Sequence, residues 1–194
     1  MMNETLNQKN NLRKILTEKR NLIKKNTNLE FNIEAFNQLT EQIKFNAVDC
    51  IGSFMSIRSE ISTKQLNTTI LKMKKKLAFP VIEKNLETLT FKTINSHKSF
   101  KTGKFNIPEP TNDNYEIIPQ LFFVPCLGFD LKGFRIGYGG GFYDKTFAKL
   151  KQLNLVFYTV GFAYDDQKQN KLPVEKFDYK LDFVLTEKQL YTFL

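Results

Sequence analysis

The run Leu121-Phe122-Phe123-Val124, closed by Pro125, constrains this chain more than any other stretch. Four consecutive apolar residues of aromatic, β-branched and leucine type, stopped by a proline, read as a strand buried on both faces. Such a strand needs cover on each side, which is the usual condition of a parallel sheet wrapped by helices. Amphipathic segments and further short apolar runs alternate along the rest of the chain. The pattern predicts an α/β protein: a three-layer α/β/α sandwich around a mostly parallel sheet, formed by residues 1–194 as a single domain.

Helices are expected over residues 5–25, 33–44, from about 62 to 76, 142–152 and 187–193. In the first, Leu12, Ile15, Leu16, Leu22 and Ile23 fall on one face, and Lys9, Arg13, Arg20 and Lys24 form a narrow stripe beside it. Strands are expected over 48–55, 76–81, 86–93, 121–124, 155–161 and 183–186. Residues 96–120, carrying prolines and asparagines, read as a long functional loop.

Several chemistries are disfavoured at once. The start, MMNETLNQKNNLRK, has no apolar core of a secretory signal, and no apolar run approaches the roughly 20 residues of a membrane-spanning helix. Cys50 and Cys126 lie far apart without a CxxC pair, so a disulfide framework is not expected and a reducing compartment, the cytoplasm, is. The lone His97 sits in a polar Asn-Ser-His-Lys-Ser stretch and reads as a surface residue, which argues against a histidine triad or metal cluster. Phosphoryl chemistry tolerates a histidine-poor chain, because positioning and electrostatics carry most of that reaction.

The formal net charge is +9, and residues 1–104 hold 19 Lys/Arg against 9 Asp/Glu. Such asymmetry suits nucleic acid or a polyanionic small molecule, and lysine-rich compositional drift accounts for part of it. Against 25 lysines stand four arginines, Arg13, Arg20, Arg58 and Arg135. Arginine offers planar, forked recognition that lysine cannot.

The chemical signal is strongest at Gly137-Tyr138-Gly139-Gly140-Gly141-Phe142-Tyr143-Asp144, which holds four of the nine glycines. A glycine-rich turn entering a helix lets backbone N–H groups approach a phosphate closely and aims a positive dipole end at it. Arg135 stands just before it. Asp144, one turn into the helix, is placed to hold Mg²⁺ between nucleotide oxygens. The spacing matches neither GxxxxGK[ST] nor GxGxxG. A plain tight turn with close helix packing is the alternative on glycine count alone, as a solvated face is for Lys9 and Arg13.

Read as one piece, Val124 to Asp144 resembles the signature of the 5-formyltetrahydrofolate cyclo-ligase family, VPG-x-FD followed by GxRLGxGxGYYD. Other segments agree in order. Lys9 and Arg13, with Arg20 seven residues on, resemble the family's amino-terminal K-x-x-x-R helix that contacts ATP. Met55–Thr63 (MSIRSEIST) is similar to its folate segment, Phe105–Pro110 to the loop over the pterin, and Leu172–Asp178 to a closing segment linked to metal. Cys126 replaces a glycine of the pattern, and Gly140 stands where some members carry lysine. Phe142 replaces the first tyrosine of YYD, and Phe177 a frequent histidine.

The resemblance implies ATP-dependent closure of 5-formyltetrahydrofolate, with one or several glutamates, to 5,10-methenyltetrahydrofolate through a phosphorylated formyl oxygen. It implies that Lys9, Arg13, Arg135, Gly137, Tyr138, Gly139, Gly140, Gly141, Phe142 and Tyr143 contact ATP. Tyr143 and Arg135 would act at the reacting centre, and Asp144 and Asp178 would hold Mg²⁺. Met55, Glu60, Phe105 and Ile107 would contact the folate, Glu60 through the donor edge of the pterin. No nucleic-acid or membrane partner is expected. The alternatives are a folate-binding relative without turnover, favoured by the departures at Gly140 and Phe142, and a nucleic-acid-binding module, raised by charge alone.

Overall fold

A computed structural model describes residues 2–26, 31–83, 86–94, 100–103, 107–111 and 114–194, and of residues 2 and 3 the backbone only. Helices α1 (Met2–Asn26), α2 (Ile33–Gln42), α3 (Lys64–Lys72) and α4 (Phe142–Gln152) alternate with short strands. The strand run Leu121–Pro125 is β6 and lies at the middle of a 7-stranded sheet. Its parallel neighbours are β1 (Cys50–Gly52) and β9 (Tyr158–Phe162), flanked in turn by β2 (Lys76–Val81) and β11 (Phe183–Leu185), also parallel. The two edge strands, β3 (Thr90–Thr93) and β12 (Leu190–Thr192), run antiparallel.

Alternation along β6 builds both cores. Leu121 and Phe123 face a cluster with Phe36 and Leu39 of α2 and Leu66 and Ile70 of α3. Phe122 and Val124 face the opposite cluster, which holds Phe147 and Leu150 of α4. The Phe122 ring meets those of Phe91, Phe147 and Phe157 edge-on at 5.1–5.5 Å between centroids. Each fully buried ring of this kind contributes about 1.5–3 kcal/mol of transfer free energy. The predicted three-layer sandwich is therefore present, with α4 covering one face and α2 and α3 the other. Asn32 caps α2, its side-chain oxygen accepting the Ala35 N–H at 2.9 Å.

A small sheet of β7 (Gly128–Asp130), β8 (Arg135–Ile136) and β10 (Lys168–Gln169) follows β6. Helix α1 lies against it, Leu16 packing with Leu127, Ile136 and Leu172. The chain leaving the carboxyl ends of β1 and β6 thus runs under α1, the end of a parallel sheet where ligands ordinarily bind.

Several expectations are corrected. Residues 187–193 form no helix. Thr186 makes a tight turn, its hydroxyl oxygen accepting the N–H groups of Lys188 and Gln189, and Leu190–Thr192 returns as β12, where alternation and β-branching outweigh a short helical pattern. The 96–120 loop contains a hairpin, β4 (Phe100–Thr102) with β5 (Pro108–Pro110), whose prolines sit on a two-stranded edge. The 86–93 strand shortens to β3, and the 155–161 strand begins at Tyr158 because α4 ends through Asn154 at φ 56°. On α1 the buried side chains are Lys9, Leu16, Arg20 and Ile23, while Ile15 and Leu22 are 60% exposed. The face is turned because α1 covers a mixed region, Leu16 and Ile23 meeting apolar clusters while Lys9 and Arg20 meet carboxylates and carbonyls. His97 and Phe105 lie outside the described residues. Among the described residues no helix is long and apolar enough to cross a membrane.

Candidate active site

The glycine turn is built by what precedes it. Asp130 closes the β7–β8 hairpin by accepting the N–H groups of Lys132 and Phe134 at 2.9 and 3.0 Å. Arg135 and Ile136 then deliver the chain to Gly137. Gly139 adopts φ 100° and Gly141 φ 66°, regions that residues with a Cβ avoid. A Cβ on Gly139 would also stand 3.2 Å from the Arg13 guanidinium carbon. Gly141 occupies the N-cap of α4 and supplies no side chain, so the first N–H groups of that helix have no side-chain cap. Phe142 opens the helix, and its ring covers Gly140.

Cations converge on this turn. Arg13 donates its Nε–H to the Gly137 carbonyl at 3.0 Å and a terminal N–H to the Asn10 side chain at 2.6 Å. Arg13, Lys14, Thr17, Glu18, Leu127 and Tyr138 line an open cleft of about 360 Å³. The Arg135 guanidinium, 5% exposed, is 3.2 Å from Asp144 Oδ1 and donates to the Tyr179 carbonyl at 3.4 Å. Asp144 Oδ1 also accepts the Tyr179 N–H at 3.0 Å. This ring of contacts binds the first turn of α4 to the residue following Asp178, so the two predicted metal carboxylates lie on adjoining segments. Lys9 does not point at the glycine turn as a free cation. Its ammonium is buried against Asp178 (2.6 and 2.8 Å) and Glu175 (2.6 Å), and Asp178 Oδ2 further accepts the Glu175 N–H.

Glu60 lies on the segment leaving β1. Its Oε2 accepts the Ile57 N–H at 2.9 Å, and its Oε1 accepts the Tyr138 hydroxyl at 3.0 Å and stands 3.8 Å from Arg20. Burial pushes the Glu60 carboxyl above its ordinary value, while the Ile57 N–H, Arg20 and the Tyr138 hydroxyl pull it back. Burial and the Glu60 charge raise the Tyr138 phenol, which keeps it protonated and a donor. Met55 is half-buried against the core, and Ile107 is half-buried beside β5, its carbonyl accepting the Gly103 N–H.

The Tyr143 hydroxyl is buried and has no hydrogen-bond partner among the described residues. Burial raises its pKa most, the Glu60 charge adds to the rise, and Arg135 opposes it. The hydroxyl therefore feels both the carboxylate on the β1 side and the guanidinium on the α4 side. An orphaned buried hydroxyl costs about 1–3 kcal/mol in a free protein, a cost that a ligand atom accepting or donating there would remove.

Two residues named in the sequence were given no role of their own in the site. Glu175 shares Lys9 with Asp178, and its signal was a second carboxylate three residues before a candidate one. Arg20 is 1% exposed and donates to Ser59 Oγ (3.2 Å), the Cys126 carbonyl (3.3 Å) and the Tyr138 hydroxyl. Its signal was position, since Leu16, Arg20 and Ile23 recur at helical spacing and put a guanidinium on the apolar face. Cys126 contributes its carbonyl here. Burial drives its thiol up to about 12, so sulfur chemistry is not the role of this residue.

The arrangement offers a glycine turn able to cradle a phosphate, two arginines beside it, a buried carboxylate and a buried hydroxyl. Known proteins with related sequences carry one name. A 5-formyltetrahydrofolate cyclo-ligase of Haemophilus influenzae is 34% identical over 140 residues, covering 70% of this chain and 74% of its own. A 5-formyltetrahydrofolate cyclo-ligase of Escherichia coli is 29% identical over 146 residues, covering 73% and 79%. The NMR structure of Aquifex aeolicus 5,10-methenyltetrahydrofolate synthetase superimposes with a TM-score of 0.74 at 25% identity, over 95% of this chain and 92% of that one. Residues 5–187 match the model of the 5-formyltetrahydrofolate cyclo-ligase family, and with a fold shared with its solved relative the chain belongs to that family.

Proposed function

We propose that this protein closes 5-formyltetrahydrofolate to 5,10-methenyltetrahydrofolate while ATP becomes ADP and phosphate, and that the formyl oxygen is phosphorylated on the way. The observation that carries the reading is the buried Tyr143 hydroxyl, unpartnered among the described residues, on a ring 5.8 Å from the Arg135 guanidinium beside the glycine turn. A formyl oxygen attached to nitrogen is a poor leaving group. Attack of that oxygen on the γ-phosphorus breaks the bond to the β–γ bridging oxygen and releases ADP. N10 then attacks the formyl carbon and loses its proton, and the carbon–oxygen bond breaks with departure of phosphate. The formyl oxygen leaves in that phosphate.

This chain's residues supply binding and orientation. The backbone of Gly137–Gly141 and the uncapped start of α4 receive the triphosphate, with Arg13 and Arg135 as its cations; Tyr138 and Phe142 flank the turn. Glu60 accepts hydrogen bonds from the pterin edge, and Met55, Phe105 and Ile107 form its apolar surroundings. Tyr143 donates to the formyl or a transferring phosphate oxygen and holds it in line.

Asp144 and Asp178 would hold Mg²⁺. Each now faces a protein cation, Arg135 and Lys9 respectively, and the Arg135–Tyr179 contacts keep their segments adjacent. Among the described residues no three His, Cys, Asp or Glu side chains converge to cage a metal. Mg²⁺ takes one or two carboxylates and completes its shell with phosphates and water. Bound, it supplies charge neutralisation across the β- and γ-phosphates. Lys9 would then keep Glu175 as its partner and could also face the phosphates.

The test is absorbance in the methenyl-folate band when purified protein meets 5-formyltetrahydrofolate and Mg-ATP. An ATP-dependent rise with matching phosphate release is expected. Tight folate binding without any rise would overturn the assignment of turnover.

A further inference from the structure

The Tyr138 hydroxyl joins two places that a sequence reading assigns to different ligands. Tyr138 sits in the glycine turn, between Gly137 and Gly139. Its hydroxyl donates to Glu60 at 3.0 Å and accepts from Arg20, whose other donors hold Ser59 and the Cys126 carbonyl. Its ring lies between the Arg20 and Arg58 guanidiniums, at 5.5 and 5.7 Å from the centroid. Arg58 holds this place from a left-handed backbone, φ 53°, two residues before Glu60. One phenol therefore ties the phosphate turn to the folate carboxylate's own segment.

We propose that Tyr138 is the positioning residue through which ATP and the folate raise each other's affinity, with Arg20 as the fixed point of the linkage. This rests on the functional reading above and deepens it. Glycines on both sides leave the empty turn with much backbone freedom, which phosphate contacts remove. The Tyr138 hydroxyl already donates to Glu60, so phosphate contacts that restrict the turn also restrict this donor, and the folate then meets a carboxylate with less left to order. The ordering cost is met by whichever ligand binds first, so the second binds more tightly. Linkage requires the effect to be equal in both directions. Arg20 does not move in this scheme, being buried and tied to α1, Ser59 and Cys126.

The experiment is calorimetric titration of 5-formyltetrahydrofolate into wild-type protein and into Tyr138→Phe, each with and without a saturating non-hydrolysable ATP analogue and Mg²⁺. Phenylalanine keeps the ring between the two arginines and deletes the hydroxyl. In the wild type the folate Kd is expected to fall by a factor on the order of 5 to 150 when the analogue is present. In Tyr138→Phe that ratio is expected to collapse to about one. A tyrosine that merely stabilised the fold would change the single-ligand affinities or the melting temperature and leave the ratio intact. An equal ratio in both proteins, or a ratio of one in the wild type with both ligands bound, overturns the coupling while the cyclo-ligase reading stands. Absence of folate or nucleotide binding to the wild type sinks both.

Discussion

Replacing Arg20 by methionine isolates the buried charge that organises the site. Methionine preserves the apolar stem on α1 and removes the guanidinium. Cys126's carbonyl keeps a partner, because Gln167 also donates to it at 2.8 Å, and Tyr138 can still donate to Glu60. Glu60, 6% exposed, loses its counter-charge. Breaking a buried pair from one side costs about 3–5 kcal/mol, and the 3.8 Å separation, longer than a direct fork, puts this case near 3 kcal/mol. For a chain of this length that lowers the melting temperature by about 6–12 °C.

The loss should depend on pH. Without Arg20 the folded Glu60 carboxyl rises further above its ordinary 4.5, so the folded state binds the extra proton as pH falls. Between 4.5 and the raised value the folded state holds more protons than the unfolded one, and the variant's stability falls as pH rises. The deficit relative to wild type is therefore expected to be larger at pH 8 than at pH 5, read from urea midpoints at both. Adding Glu60→Gln to Arg20→Met should recover about 0.5–3 kcal/mol at pH 8. A deficit below about 1 kcal/mol, or one that ignores pH, would refute the view of Arg20 as the counter-ion of Glu60.

Four further outcomes follow from the geometry. Tyr143→Phe should leave the free protein as stable or up to about 1 kcal/mol more stable while turnover falls, and a destabilised variant would mean that the hydroxyl has a partner. Asp144→Asn should raise the Mg²⁺ concentration needed for half-maximal turnover by about tenfold or more; an unchanged requirement removes Asp144 from the metal site. Gly139→Ala, strained at φ 100° and crowded by Arg13, should cost about 1–3 kcal/mol in urea denaturation and weaken nucleotide binding, and neutrality in both would contradict the turn geometry. Folate affinity should weaken on acidification at a pH above 4.5, because protonated Glu60 no longer accepts from the pterin edge, and this dependence should vanish in Glu60→Gln.

The fold was legible where burial on both faces left no choice. Leu121–Val124 could only be interior, and once it was, the parallel sheet and its helical layers followed. The strand at 190–192 was not legible, because a Thr186 turn and an antiparallel partner decide it, and neither shows in local periodicity. At the site, the glycine turn was readable from composition, since φ values of 100° and 66° require residues without a Cβ. Glu60 and Asp144 were readable through the family pattern. Arg20 was noticed in the basic stripe but not as the counter-ion of Glu60, because that pairing shows only when the facing carboxylate, 40 residues away, is in place. Glu175 was missed for the same reason, its partner Lys9 being 166 residues distant.

Lys9 and Asp178, 169 positions apart, also set an order of events during synthesis. At about 5–20 residues per second a ribosome needs roughly 8 to 34 s to travel between them. Through that interval α1 carries an ammonium on its docking face without the acid that neutralises it, so its first turns have little reason to settle. Nascent α1 is thus available to chaperones or proteases until the closing segment emerges. Competence to capture a folate should arise late and abruptly on the translating chain, a step that ribosome-bound intermediates stalled before and after residue 178 would resolve.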